Sequence, residues 1–305
     1  MKIDIAVDAQ NGVGEGPYWD DIEQTLYWVD ISGKAVHRFH PATGQRRDWP
    51  LDDFPSAVVL REKGGLLLAM RDGLFFMEPE TGALERFVVL EPDRPDNRTN
   101  EAKCAPDGSF WVGTMQNNLN PDGSAKAMTA ATGALYRVRH DGGITREVDG
   151  VNLSNTLAWT NDGKTLLFAD TGTGIIKAYE VEEDGRLGVS CVFNNGTWDG
   201  TSGGEKLPGY CDGSAIDAEG YLWNARFAGS CLVRFRPDGT VDRKIDLPVT
   251  NPTSCCFGGP NLTTLYVTSA RHGLDARALE ANPREGAVLA IETGIRGTPS
   301  VPFAG

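Results

Sequence analysis

Apolar residues in this chain fall in short runs broken by turns, not at helical spacing. An apolar run is followed by Asp or Asn with Gly in a turn, then by a second run carrying aromatics, then by a third run and another Gly turn. Runs bounded in this way read as strands joined by hairpins. The pattern recurs six times: Gly16–Trp19 to Leu26–Asp30, Ser56–Leu60 to Leu66–Ala69, Ala102–Gly113, Thr156–Asp170, Ser214–Trp223, and Cys255–Phe257 to Leu265–Thr268. Each unit continues into a third strand, such as Ala35–Phe39, Gly73–Phe76, Ala134–Val138, Ile175–Tyr179, Cys231–Phe235 or Ala287–Ile291.

Six units spaced about 40 to 56 residues apart predict the four-stranded blades of an all-β, six-bladed β-propeller around a central channel, with residues 1–305 as a single domain. No Pro/Ser-rich linker interrupts the series, which argues against a sandwich or two smaller β domains. The leading run Lys2–Val7 is expected to supply the outer strand of the last blade, because a ring of sheets needs its ends joined. Residues 114–133 and 194–212, rich in Gly, Asn and Thr, read as insertions gathered on the functional face.

Composition narrows the classes further. Thirty-seven glycines suit a turn-rich β protein better than a helical bundle. A net charge of −13 disfavours nucleic acid and anionic membrane surfaces as partners. The acid-bearing start Met1–Asp8 does not read as a signal peptide, so a cytoplasmic protein is expected. The six cysteines include no CxxC pair, and most are expected to be reduced and buried. Four histidines show neither HxH nor HExxH spacing, and His37 and His40 are expected at the surface. Gly200–Gly204 matches GxSxG formally but lies in a Gly-rich stretch without a preceding strand or following helix, so it reads as a flexible insertion.

Chemistry is expected where the innermost strands open into the channel, because distant segments converge only there. Glu15, Asn155 and Asp212 open the first, fourth and fifth blades. Two carboxylates and an amide oxygen entering one channel make a hard, all-oxygen site for one divalent cation. Ca²⁺, Mg²⁺ and Mn²⁺ suit it, and Zn²⁺ and Fe²⁺ remain open. Arg98, Asn100 and Glu101 open the third blade at the same level, where Arg98 can clamp substrate oxygens and Asn100 can meet a sugar hydroxyl. Each of these residues alone also fits an ordinary polar turn.

Taken together, the segments resemble the SMP-30/gluconolactonase/regucalcin-like family over essentially the whole chain. The likeness rests on Gly14-Glu15-Gly16-Pro17 with Trp19 and Leu26–Ile31, and on Arg98-Thr99-Asn100 with Asp107-Gly108 and Trp111–Met115. It extends to Ser154-Asn155 with Asp162-Gly163-Lys164, and to Cys256–Pro260 with Leu265–Ala270. The resemblance implies a metal-dependent sugar lactonase, with the metal on Glu15, Asn155 and Asp212, substrate contacts from Arg98 and Asn100, and Asp212 activating water. Three positions depart from the usual pattern: Glu101-Ala102 stands where Asp-Gly is usual, Thr156 where Gly follows the asparagine, and Cys211 where Pro precedes the aspartate. A calcium-binding regulator, an interaction propeller, and a hydrolase of other esters or organophosphates are the rival readings.

Overall fold

The computed structural model describes residues 1–305. It is a six-bladed β-propeller of six four-stranded antiparallel sheets, with one short helix, Ala276–Ala281. Five blades use four consecutive strands, and the sixth takes its outer strand from Lys2–Val7, which pairs antiparallel with Val288–Glu292. The ring is thus closed by the start of the chain, as the repeat pattern predicts.

The inner strands are Gly14–Asp20, Pro55–Leu60, Asn97–Cys104, Ser154–Trp159, Tyr210–Ile216 and Pro252–Gly258, each packed against the next around the channel. Four apolar clusters lie between neighbouring blades, so both faces of most strands are buried. Trp28, Trp111 and Trp223 lie on the second strands of blades one, three and five, all fully buried. Burying such large side chains between blades is the main gain that holds the ring together.

Two-sided burial corrects the expectation for His37. It is buried, not at the surface: its ring stacks on Trp28 with centroids 4.9 Å apart, and its Nδ1 meets Asp48 Oδ1 at 2.7 Å. All six cysteines are free, and five are buried; Cys191 on the outer strand of blade four is exposed. The Gly200–Gly204 segment lies in turns, with neither strand nor helix beside it.

A shared irregularity sets up the channel mouth. Every inner strand breaks register against its second strand near its start: between Glu15 and Tyr18, Pro55 and Ala57, Thr99 and Ala102, Asn155 and Leu157, Cys211 and Ser214, and Pro252 and Cys255. A bulge adds residues to one strand, bends it and re-aims its side chains. Six of them in one ring give the mouth a different side-chain direction from the channel below.

Candidate active site

Glu15, Asn155 and Asp212 come from blades one, four and five and are all buried at the channel mouth. The Glu15 carboxylate accepts the Gly16 N–H at 3.0 Å, its one hydrogen bond, and neither Glu15 nor Asp212 forms an ion pair with a basic side chain. Burial drives the Glu15 carboxyl well above its usual range, with Asp212 and Glu101 adding like charge. Burial likewise raises Asp212, with Glu101 adding to it; the Gly213 N–H and the charges of Arg226 and Arg98 oppose the shift.

A hydrogen-bonded chain holds the amides across three blades. Arg98 Nη1 donates to Asn100 Oδ1 at 2.7 Å, and Asn100 Nδ2 donates to Asn155 Oδ1 at 3.1 Å and to Ser154 O at 2.9 Å. Asn155 Nδ2 then donates to Thr171 Oγ1 at 2.8 Å, and that hydroxyl donates to Cys211 O at 2.7 Å. The chain fixes which end of Asn155 is oxygen and leaves that Oδ1 one lone pair facing away from Asn100.

Arg98 is buried rather than held in a solvated loop, and burial lowers its guanidinium to about 10 against the opposing charges of Glu15 and Asp212. Its Nε and Nη2 donate to Asn118 Oδ1 at 3.1 and 2.9 Å, and Nη1 also donates to Thr99 O at 2.8 Å. Four of its five N–H donors are thereby engaged, leaving one on Nη2 for another partner. Glu101 is also buried, but it makes no hydrogen bond and lines the channel below the mouth with Lys103.

Behind Asp212 sits a second buried network. Thr156 Oγ1 donates to Asp212 O at 2.7 Å and lies 3.0 Å from Ser214 Oγ, while Asn224 Nδ2 donates to Asp212 O at 2.9 Å. Thr156 takes a left-handed backbone with φ 47°, the conformation glycine adopts without cost. That accounts for the glycine usual after the asparagine: the bulge requires this dihedral, and here a threonine meets it.

Several residues at the site carried no signal in the sequence. Asn118 comes from the insertion after the second strand of blade three, and Thr171 from the turn after the second strand of blade four. His272 follows the second strand of blade six, where burial first and the Arg98 charge second lower its imidazole. Asn224 and Arg226 are strand residues that pattern alone assigns to packing.

No three His, Cys, Asp or Glu side chains converge as a metal cluster anywhere in the chain. A cation at the mouth would therefore be held by two carboxylates and an amide oxygen. The donor chemistry fits: two buried carboxylates that form no salt bridge, beside a fixed amide oxygen, make a hard oxygen set for a cation.

The family model described as "SMP-30/Gluconolactonase/LRE-like region" matches residues 13–271. Regucalcin of Xenopus laevis is 33% identical over 307 residues, covering 100% of this chain and 99% of the relative. The 6-deoxy-6-sulfogluconolactonase of Pseudomonas putida is 32% identical over 293 residues, covering 96% and 95% of the two chains. A solved structure of regucalcin from Agrobacterium tumefaciens, described as a calcium-binding protein, superposes with a TM-score of 0.89 at 30% identity, covering 98% of this chain and 96% of that one.

Proposed function

The chain belongs to the SMP-30/gluconolactonase/LRE-like family, and from that premise we propose that it hydrolyses a sugar lactone to the sugar acid, using a divalent cation held by Glu15, Asn155 and Asp212. One observation carries the reading: two carboxylates are buried at the mouth of the channel with no basic side chain paired to either. Leaving two such charges unpaired is costly, and a cation between them removes the cost.

When bound, a divalent cation supplies a Lewis acid toward the lactone carbonyl. The protein's own residues do the rest. Asp212 takes a proton from the attacking water as its oxygen bonds to the carbonyl carbon. The C–O bond to the ring oxygen then breaks, and the same proton passes from Asp212 to that oxygen as it leaves as an alcohol. Arg98 directs its free Nη2 hydrogen to a substrate oxygen, with Asn118 and Asn100 holding the guanidinium plane. Asn100 is placed to meet a sugar hydroxyl, and Glu101 sets the floor of the substrate space and adds negative charge beneath it.

The test is proton release from freshly dissolved aldonolactones, followed with a pH indicator and corrected for spontaneous opening. The protein is assayed before chelation, after it, and with Ca²⁺, Mg²⁺, Mn²⁺, Zn²⁺ or anaerobic Fe²⁺ restored. Turnover lost on chelation and restored by one metal is the expected result. Cation binding with no turnover on any lactone would overturn the lactonase reading in favour of a calcium-binding regulator, in line with the calcium binding ascribed to the Agrobacterium relative.

A further inference from the structure

The channel does not end at the active-site mouth. Below it lies a cavity of about 510 Å³, lined by the later halves of the inner strands, including Tyr18, Val59, Trp159 and Phe257. It opens past the C-terminal segment around Arg296 and Pro299, on the face opposite the mouth, where both residues are exposed. Its volume lies in the range of small-molecule sites, and about half of its lining residues are apolar, with Thr160, Asn161, Ser254, Thr298 and Ser300 among the polar ones. Glu15, Asn155, Asp212, Arg98 and Asn100 take no part in it.

Its charges run against those of the protein. The chain carries −13 overall, yet the charged side chains lining this cavity are Lys103, Arg296 and Glu101, two basic to one acidic. Lys103 is half-buried within the channel; its Nζ donates to Ser214 O at 2.6 Å and forms no salt bridge. Arg296, at the open end, has no ion-pair partner either. Lys103 and Glu101 share this wall without forming an ion pair, so with Arg296 the cavity carries one positive charge more than negative, which an anion delivered by a ligand would neutralise.

We propose that this cavity is a second small-molecule site, meeting the lactone site only at Glu101, for a monocarboxylate with an apolar body. The body fills the space between Tyr18, Trp159 and Phe257, and the carboxylate is held by Lys103 and Arg296. The proposal does not rest on the lactonase reading, because neither the cation nor the lactone enters it.

The probes are octanoate, octylammonium and octanol, titrated calorimetrically into the full-length, chelator-treated protein at neutral pH. Octanoate is expected to bind with 1:1 stoichiometry and a dissociation constant below about 1 mM. It should bind at least tenfold more tightly than octylammonium. Lys103→Met, which keeps the apolar stem, and Arg296→Glu, at an exposed position that does not endanger folding, should each weaken octanoate at least fivefold. A crystal structure of the complex should place the carboxylate at Lys103 and Arg296. The proposal is overturned by the absence of octanoate binding, by equal affinity for octylammonium, by wild-type affinity in Arg296→Glu together with a folded Lys103→Met, or by octanoate found at the Glu15 end.

Discussion

Thr156 offers the sharpest test of how the site is held. A non-glycine residue with φ 47° bears roughly 1–2 kcal/mol of strain, so a strain argument alone makes Thr156→Gly stabilising. The buried network argues the other way. Removing the hydroxyl withdraws the 2.7 Å bond to Asp212 O and the contact with Ser214 Oγ at a site with no solvent access, which costs about 1–3 kcal/mol. Glycine adds about 0.5–1 kcal/mol of backbone entropy and loses about 0.8 kcal/mol from the buried methyl. The balance is a net loss of about 2 kcal/mol for Thr156→Gly. Thr156→Val keeps shape and strain but loses the bond, at about 1–3 kcal/mol, whereas Thr156→Ser keeps the bond and stays within about 1 kcal/mol of wild type. For a chain of this length 1 kcal/mol moves Tm by about 1.5 °C, so calorimetric scans should rank wild type and Ser above Gly and Val by about 2–4 °C. A Thr156→Gly protein as stable as wild type, or more so, would refute the network argument and leave backbone strain as the larger effect.

Three further outcomes follow from the same geometry. Asp212→Asn should fold, by circular dichroism, and lose lactone hydrolysis by about 10²-fold or more, because the amide cannot accept the proton of the attacking water. Glu15→Gln should weaken cation binding at least about tenfold in a calorimetric titration, since it removes one of only two carboxylates at the mouth. Arg234→Met should lower Tm by about 5–8 °C through a loss of about 3–5 kcal/mol. It strips the buried Asp217 of its 2.6 Å partner and leaves Trp223 Nε1 as the one side-chain donor to that oxygen.

The blades were readable because hairpin turns punctuate the chain and each strand's aromatics recur in phase. Even the closing role of Lys2–Val7 followed from the need to cover an edge. The residues that open the blades were readable too, as polar groups at the starts of apolar strands. Their directions were not, because a bulge in every inner strand cancels the two-residue alternation on which facing is predicted. The Arg98–Asn100–Asn155–Thr171 chain joins residues 73 positions apart at its ends, and no local pattern encodes it. His37 escaped for a related reason: between two blades a strand has no solvent face, so a polar residue beside a turn can lie stacked on a tryptophan.

Glu101 ties the sequence departure to a measurable pH dependence. It is buried without a hydrogen bond, and burial raises its carboxyl to about 7 against the opposing charge of Lys103. An acid whose value is raised on folding binds more protons folded than unfolded. Stability therefore falls as pH rises from the ordinary carboxylate range to about 7 and stays low above it. A rise of this size corresponds to about 3 kcal/mol once the group is ionised in the fold. Glu101→Gln removes that cost and keeps the shape. It also relieves Asp212 and Glu15 of a neighbouring like charge, which acts in the same direction at high pH. In chelator-treated protein the variant should match wild type near pH 5 and exceed it in Tm by about 5 °C at pH 8. Equal stability of the two proteins across that range would mean that solvent or Lys103 compensates the carboxylate fully, and the electrostatic account of the channel floor would fail with it.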